Sequence, residues 1–247
     1  MVQHLDGRVV VVTGGTGGIG RALTARLLSS GASVVATGGA TAEIDDARED
    51  ETLVGAELRL LDVTDDDAVR ALFGGLGRLD ALVNLAGIGR GAGEFEVDGF
   101  TKTVDINLFG TMRCCYAAHD LLVDASGAVV NTASMMTFFG SGTAPAYAAS
   151  RGGVAQFTKS LAIAWGPEGV RANAVAPGWI ETPQTRPITD QPSRRDAVIA
   201  RTPLGRWGRP ADVAPVIEFL VGDDSAFMTG AIVPVDGGYL VDGSPHE

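Results

Sequence analysis

Seven short runs rich in β-branched and other apolar residues recur along the chain, separated by longer stretches with helical patterning. The runs span residues 8–13, 32–37, 56–61, 80–85, 127–132, 170–175 and 230–235. Most lack the alternation of apolar and polar residues that is expected when one face of a sheet meets water, so we expect strands buried on both faces. Such strands with helices between them predict an α/β fold, an open and doubly wound parallel sheet with helices on both faces.

No internal repeat, long linker or low-complexity tract divides the sequence, so we predict a single domain over residues 1–247. The least regular segment, residues 181–193, carries three prolines between the sixth strand and the last helices. We expect a mobile substrate flap over residues 181–205 within this domain. Thr64 is expected to cap the helix whose first turn contains the acidic residues 65–67.

Composition and charge argue against several classes of function. A net charge of −11 disfavours nucleic acid and anionic membrane surfaces as partners. The N-terminal segment lacks a secretory pattern and no stretch reaches the ~18 apolar residues of a membrane span, so we expect a cytoplasmic protein. The adjacent Cys114 and Cys115 are expected in the core, and the scattered His4, His119 and His246 predict no metal site.

A glycine-rich segment, TGGTGGIG at residues 13–20, follows the first predicted strand and opens a helix. A glycine cluster alone is weak evidence in a chain with 34 glycines, but the position between strand and helix makes it specific. Gly14, Gly18 and Gly20 would let the backbone approach a pyrophosphate, which the free N–H groups of a helix N-terminus favour. The segment therefore predicts a dinucleotide site.

Further polar or glycine residues follow other predicted strands at the same edge of the sheet. Gly14, Asp62, Asn84, Ser134 and Pro177 all come where strands end. Open α/β sheets bind ligands at the carboxyl ends of their strands. Each of these residues alone also fits a turn or loop, but five at one edge favour a ligand site.

Tyr147 and Arg151 lie four residues apart in YAASRGG, so a helix would place them on one face. A neighbouring cation favours the ionised form of a tyrosine. We therefore expect Tyr147 to donate or accept a proton.

With these motifs the sequence resembles the short-chain dehydrogenase/reductase family along essentially its whole length. The resemblance rests on the Gly-x-x-x-Gly-x-Gly spacing of residues 14–20, Asp62, NLAG at 84–87, Asn107 in DINLFG, Ser134 thirteen residues before Tyr147, PG at 177–178 and VDGGY at 235–239. It implies a Rossmann-type seven-stranded sheet, a nicotinamide cofactor and a small-molecule ketone or secondary alcohol as substrate.

The resemblance also implies a role for each matched residue. Tyr147 would exchange a proton with the substrate oxygen, Ser134 would polarise that oxygen, and Asn107 would hold a water in the proton path. Arg151 would favour the phenolate and hold the nicotinamide ribose. The cofactor site would comprise Gly14, Thr16, Gly18, Ile19, Gly20, Thr37, Asp62, Val63, Asn84, Ala86, Gly87, Tyr147, Arg151, Pro177, Gly178, Ile180 and Thr182.

Arg151 is a departure, because the family has lysine at this position. Arginine keeps the charge and the donors but does not readily lose a proton. The chain has seventeen arginines against Lys102 and Lys159, so a general shift to arginine with partial activity is one interpretation. An adapted site with a different proton path and a dinucleotide-binding sensor or scaffold without turnover are the others. We expect an active but slowed oxidoreductase.

The end of the second strand, VVATGGAT at residues 34–41, offers neither the acid typical of NAD enzymes nor the base typical of NADP enzymes. The variable positions of the glycine loop also lack Arg and Lys, so we expect NAD(H) in preference to NADP(H). The apolar residues in 134–142, with Trp179 and Ile180, favour an organic ketone or secondary alcohol, although core packing explains them equally well.

The segment VIARTPLGRWGRP at residues 198–210 looks like the branch that contains sugar-acid dehydrogenases and 3-oxoacyl reductases. A lyase or isomerase using the same tyrosine is a further alternative. Two helices predicted near 101–124 and 148–165 carry more apolar surface than one sheet needs, and in this family such helices pair across a dimer axis. The resemblance therefore implies a homotetramer.

Overall fold

Seven parallel strands form one sheet in the computed structural model, which describes residues 5–243. They are β1 (Val9–Thr13), β2 (Ser33–Gly38), β3 (Glu57–Leu60), β4 (Ala81–Asn84), β5 (Ala128–Thr132), β6 (Arg171–Pro177) and β7 (Ile232–Val235). The order across the sheet is β3-β2-β1-β4-β5-β6-β7, so the direction of winding reverses between β1 and β4. Each predicted run overlaps one strand, and the predicted doubly wound sheet is confirmed.

Helices cover both faces of this sheet. They are α1 (Gly18–Ser29), α2 (Thr41–Arg48), α3 (Asp66–Gly74), α4 (Val97–Val104), α5 (Gly110–Ala125), α6 (Pro145–Trp165), α7 (Arg186–Thr189), α8 (Pro192–Arg201) and α9 (Pro210–Val221). Val10 and Val12 of β1 pack into one apolar cluster with α1 and α9, whereas Val11 packs into a second cluster with α3 and α5. Burial on both faces is why this strand is a continuous run of valines.

The helix predicted near residues 101–124 contains an interruption that the sequence did not reveal. A π-helical turn, Asp105–Phe109, joins α4 to α5. Such turns are frequently found at functional sites. Asn107 lies in this turn and is fully buried.

The predicted cap of α3 was wrong by one residue. Asp65 is the N-cap, and its carboxylate accepts hydrogen bonds from the N–H groups of Asp67 (2.9 Å) and Ala68 (3.0 Å). Thr64 instead donates its hydroxyl and its N–H to Asp62. Asp65 is the better cap because one of its carboxylate oxygens accepts both bonds at once.

The segment predicted to be irregular is largely helical. Between residues 183 and 201 the chain forms a 3₁₀ turn (Pro183–Thr185), α7 and α8. Each of the three prolines stands in the first turn of one of these elements, where a missing N–H costs nothing. The prolines therefore start short helices instead of preventing them.

None of the helices within residues 5–243 combines the length and the apolar character that crossing a bilayer requires. The same part of the chain contains no group of three or more His, Cys, Asp or Glu side chains placed to hold a metal ion. His4 and His246 lie outside the described residues.

Candidate active site

The glycine loop between β1 and α1 is packed too tightly for side chains. Gly14 has a φ of +67°, and a Cβ on it would lie 2.8 Å from the backbone nitrogen of Ala86. A Cβ on Gly20 would collide with the carbonyl oxygen of Gly14. The N-cap of α1, Gly17, has no capping side chain, so the N-terminus of α1 is free to receive an anion.

Most of the other predicted cofactor residues surround this loop. Thr37 is buried at the end of β2, and its hydroxyl accepts a hydrogen bond from the N–H of Gly14 (3.4 Å). Thr16 is also buried, with its hydroxyl 3.5 Å from the carbonyl oxygen of Thr37. These two hydroxyls hold the loop against β2. Ile19 and Ala86 are half-buried, Val63 is buried, and Asp62 is exposed after β3.

Asn84 ends β4 but does not point out of the sheet. Its Nδ2 donates to Oδ1 of Asn131 on β5 (2.9 Å), and its Oδ1 accepts from the hydroxyl of Thr13 (3.4 Å). The thiol of Cys115 lies 3.3 Å from the same Nδ2, and burial raises the pKa of that thiol well above its ordinary value. The side chain of Asn84 therefore joins neighbouring strands beneath the ligand edge.

Asn107 connects the loop after β4 to the helix that carries Tyr147. Its amide makes paired hydrogen bonds with Ile88, donating to the carbonyl oxygen (2.9 Å) and accepting from the N–H (2.8 Å). It also donates to the hydroxyl of Ser150 (3.1 Å), which in turn donates to the carbonyl oxygen of Tyr147 (2.8 Å). The predicted residues Asn107 and Tyr147 are thus linked through one serine.

Ser134 reaches the same site from the end of β5. It caps the 3₁₀ turn Met135–Thr137, with its Oγ accepting from the N–H of Met136 (3.2 Å). The hydroxyl of Thr137 accepts from the N–H of Ser134 (3.2 Å) and donates to the carbonyl oxygen of Arg151 (3.0 Å). Thr137 therefore links Ser134 to α6.

Arg151 is only 3% exposed and its guanidinium fills the space between β5 and the loop after β4. Nη1 donates to the carbonyl oxygen of Thr132 (2.8 Å), and the guanidinium carbon lies over the Tyr147 ring, 5.1 Å from its centre. Nη2 occupies the place that a Cβ on Gly87 would need. The buried Nε finds no hydrogen-bond partner in the part of the chain that the structure describes, so one donor stays available.

The start of the predicted flap contacts the same site. Pro177 ends β6, Gly178 packs against Asp236, and Ile180 is buried. A Cβ on Gly18 would lie 2.7 Å from the methyl group of Thr182. A Cβ on Gly89 would lie 3.2 Å from the side-chain nitrogen of Gln184 and 3.5 Å from the Tyr147 ring. The segment thus touches both the glycine loop and the surroundings of Tyr147.

Two carboxylates at the site were not predicted. Glu43, in the first turn of α2, accepts a hydrogen bond from the N–H of Gly39 (2.9 Å). Its Oε2 would lie 3.2 Å from a Cβ on Gly38. Glu94, in the loop after β4, is 1% exposed and accepts from the N–H of Tyr147 (2.8 Å). An acid early in the second helix could have pointed to Glu43, whereas no local signal identifies Glu94.

Comparison with known proteins agrees with this fold. Residues 14–240 match the family described as Enoyl-(Acyl carrier protein) reductase. The chain is 38% identical over 94% of its length to cis-4-hydroxycyclohexanecarboxylate dehydrogenase of Sinomonas cyclohexanicum, covering 96% of that protein. It is 35% identical over 97% of its length to the 3-oxoacyl-[acyl-carrier-protein] reductase FabG of Thermotoga maritima, covering 100% of it.

The fold is shared with solved structures as well. A putative 2-deoxy-D-gluconate 3-dehydrogenase from Agrobacterium tumefaciens with bound NADP superposes with a TM-score of 0.89 at 35% identity, over 96% of this chain and 98% of that one. The sheet order, the glycine loop and these whole-length similarities lead to one conclusion. The chain belongs to the short-chain dehydrogenase/reductase family, whose members are oxidoreductases that act on alcohols and carbonyl compounds.

Proposed function

We propose that this protein transfers a hydride between a nicotinamide cofactor and a ketone or secondary alcohol. The observation that carries the proposal is the connected set of contacts that brings Asn107, Ser134, Tyr147 and Arg151 to one edge of the sheet. These residues come from three separate segments of the chain, because Tyr147 and Arg151 share α6. A shared hydrogen-bonded framework keeps their relative positions fixed, as acid–base chemistry requires.

The residues present fit a dinucleotide. The N-terminus of α1, whose N-cap Gly17 has no capping side chain, would receive the pyrophosphate. Arg151 offers a buried Nε without a partner among residues 5–243. The remaining contacts would come from Ile19, Ala86, Gly87, Ile180 and Thr182. When bound, the nicotinamide supplies or accepts the hydride.

Each catalytic residue would then have one task. Tyr147 donates a proton to the substrate oxygen or takes it back, and the hydroxyl of Ser134 donates a hydrogen bond to that oxygen. Asn107 shapes the turn that holds Ile88 and Ser150 near Tyr147. Arg151 keeps a positive charge over the tyrosine ring, 5.1 Å from its centre.

Arg151 is expected to slow turnover. A guanidinium does not release a proton at physiological pH, so it cannot relay one as lysine does. The contacts with Thr132 and Gly87 fix the guanidinium of Arg151 in place. Its acceptor among residues 5–243 is the backbone oxygen of Thr132, which cannot carry a proton onward. The same observation favours a second candidate function, a dinucleotide-binding sensor or scaffold without turnover.

The position of Glu43 supports NAD(H) as the cofactor. An acid at the end of the second strand of a dinucleotide fold accepts the ribose 2′-hydroxyl and repels a 2′-phosphate. Gly38 has no side chain to do this, but the Glu43 carboxylate from α2 lies beside it. Arg21, the first basic residue after the glycine loop, is paired with Asp46 and Asp50, so its charge is already compensated.

The substrate is proposed to be a small organic ketone or alcohol held under residues 181–205. Thr182 and Gln184 at the start of this segment approach Gly18, Gly89 and the Tyr147 ring, which supports its role as a substrate flap. The relatives named above are an acyl-carrier-protein reductase and a hydroxycyclohexanecarboxylate dehydrogenase, so acyl ketones and cyclic hydroxy acids belong in a first panel.

We also propose a homotetramer. Tyr116 on α5 is 59% exposed and Ile163 on α6 is 79% exposed, and Phe109 next to α5 is exposed as well. These apolar side chains lie on the two helices that the sequence predicts to pair with another copy. Light scattering should give four times the mass of one chain, and a monomer mass would refute the proposal.

The test measures oxidation of NADH and NADPH with ketones, keto acids and acyl ketones for the native protein, Tyr147→Phe and Arg151→Lys. We expect slow turnover by the native protein, at least about tenfold faster turnover by Arg151→Lys, and none by Tyr147→Phe. Undiminished turnover by Tyr147→Phe would refute the assignment.

The Arg151→Lys result separates the two candidate functions. If the native protein binds the dinucleotide tightly without turnover and only the lysine variant reacts, the sensor or scaffold function is supported. If the native protein equals or exceeds the lysine variant, Arg151 does not slow the reaction and the proton leaves by another path.

A further inference from the structure

The helix that carries Tyr147 and Arg151 begins without a cap of its own. The N-cap of α6 is Ala144, which has no side-chain acceptor, and the next residue is Pro145. Ala148 is the first residue whose N–H bonds back to the carbonyl oxygen of Ala144 (3.1 Å). The N–H of Tyr147 therefore lies ahead of the helical hydrogen-bond ladder and needs an acceptor from elsewhere.

Glu94 supplies that acceptor from the loop after β4. Its Oε2 accepts from the N–H of Tyr147 (2.8 Å), and its Oε1 accepts from the N–H of Arg90 (2.8 Å). The residue is 1% exposed, and within residues 5–243 no Lys, Arg or His lies within ion-pair distance of its carboxylate. A buried carboxylate is costly unless such donors compensate it, and the N-terminus of a 21-residue helix adds a favourable dipole.

The hydrogen bond from Tyr147 to Glu94 completes a set of hydrogen bonds that joins the loop after β4 to α6 on both sides of Tyr147. Ile88, at the start of the same loop, is held by Asn107, and Asn107 is bonded to Ser150. Ser150 donates to the carbonyl oxygen of Tyr147 (2.8 Å). The loop is thus fixed at Ile88 through Asn107 and at Glu94 through Tyr147. As a result, both the N–H and the C=O of Tyr147 are held by groups of the site.

We propose that Glu94 is a positioning residue for proton transfer, holding the Tyr147 backbone so that the phenol meets the substrate oxygen. This inference rests on the proposed role of Tyr147 as acid and base. Displacing a reacting group by about 1 Å can cost on the order of 100-fold in rate. Glu94 therefore acts on the chemical step. The glycine loop and β2, which would bind most of the dinucleotide, lie on the other side of β4, so a change at Glu94 should affect dinucleotide binding little.

A purely structural role makes a different prediction. If Glu94 only stabilised α6, a variant that still folds would have a lower melting temperature but the same kcat for each folded site. If it positions Tyr147, kcat falls even in fully folded protein, whereas cofactor binding and KM change little.

The experiment compares Glu94→Gln and Glu94→Asp with the native protein. Glutamine keeps the length, but its NH₂ group faces one of the two backbone N–H donors, and aspartate keeps the charge but is one methylene shorter. Glu96→Gln is the matched control, because Glu96 is exposed two residues away and caps nothing with its side chain. Tyr147→Phe is measured in parallel, and all rates are expressed per NADH-binding site well below the melting temperature.

We expect Glu94→Gln to lower kcat by at least about tenfold, with the NADH dissociation constant and KM within about threefold of native. Glu94→Asp should retain more kcat than Glu94→Gln because the anion is kept. Glu96→Gln should match the native protein.

If Glu94→Gln keeps the native kcat while Tyr147→Phe is inactive, the inference is overturned but the proposed function stands. A parallel loss of kcat and NADH binding, or failure of both Glu94 variants to fold, would also overturn it, since Glu94 would then support the fold alone. Undiminished turnover by Tyr147→Phe, or no turnover by the native protein, would instead remove the proposed function and the inference with it.

Discussion

The guanidinium carbon of Arg151 lies 5.1 Å from the centre of the Tyr147 ring, and this arrangement depends on a glycine. Nη2 of Arg151 occupies the space that a side chain on Gly87 would need, and Oδ1 of Asn107 lies 3.1 Å from the same point. Arginine at this position and glycine in the NLAG segment therefore form one unit.

Gly87→Ala is expected to displace the guanidinium from the tyrosine ring. We expect a loss of about 1–3 kcal/mol in the free energy of unfolding from overpacking. Turnover should fall by at least about tenfold because Arg151 and Asn107 both shift. Chemical denaturation and steady-state kinetics measure the two effects.

The double variant Gly87→Ala/Arg151→Lys tests whether the two residues are coupled. Lysine lacks the planar fork, so the double variant should lose less stability than the sum of the single changes, by about 1 kcal/mol. Gly152→Ala is the control, since nothing lies within 4 Å of a Cβ there, and it should leave turnover unchanged. If the stability losses of the two single variants add up to that of the double variant, the two residues are not coupled.

Cofactor choice is expected to depend on Glu43. We expect the native protein to bind NADH more tightly than NADPH. Glu43→Gln should weaken NADH binding and tighten NADPH binding, changing the ratio of the two dissociation constants by about tenfold, since a charge-assisted hydrogen bond is worth about 1.5–3 kcal/mol. Quenching of tryptophan fluorescence gives both dissociation constants.

Asp45→Asn serves as the control for Glu43, because Asp45 lies on the same helix and its carboxylate pairs with Arg48 (2.7 Å) instead of approaching β2. Its dissociation constants should equal the native values. A native preference for NADPH, or an unchanged ratio in Glu43→Gln, would show that Glu43 does not select the cofactor.

His119 should make stability depend on pH. A hydrogen bond to Glu168, aided by Asp120, raises the pKa of His119 above its ordinary value of 6.5. Because the folded pKa is the higher one, this stabilisation is complete below the unfolded pKa and is lost as pH rises through the folded pKa. It should stay below about 1 kcal/mol, since both carboxylates are largely exposed.

Urea denaturation of the native protein and Glu168→Gln checks this dependence. The two proteins should differ in free energy of unfolding at about pH 6 and converge at about pH 9. Glu49→Gln changes an exposed carboxylate at the end of α2 and should show no such convergence. A difference that is constant with pH would rule out the histidine as its source.

The two cysteines are expected to be unreactive in the folded protein. Both are fully buried, and burial raises the pKa of the Cys114 thiol to about 12 and that of Cys115 well above its ordinary value. Since the thiolate is the reactive form, iodoacetamide should modify neither residue in native protein and both after unfolding. Mass spectrometry of the intact protein counts the labelled cysteines. Rapid labelling of the native protein would contradict the prediction.

Local patterns in the sequence were enough to predict the sheet and the edge at which the site lies. Val9–Thr13 reads as a buried strand because its residues are apolar on both faces, and the glycines that follow it indicate a tight approach of backbone to ligand. Tyr147 and Arg151 were placed together because residues four apart share a helix face. The prolines of the flap segment were misread, because proline disfavours a helix interior but fits a first turn.

Contacts between distant segments were decided only by the tertiary structure. Glu94 and Tyr147 are 53 residues apart, and their contact depends on how the loop after β4 packs against α6. Asn84 points into the sheet toward Asn131, 47 residues away, although its position in the chain equally allowed it to face a ligand. Local sequence determined which elements form and which edge they share, because strand and helix patterns depend on near neighbours. Which buried polar groups meet depends on how these elements pack, and no local pattern contains that information.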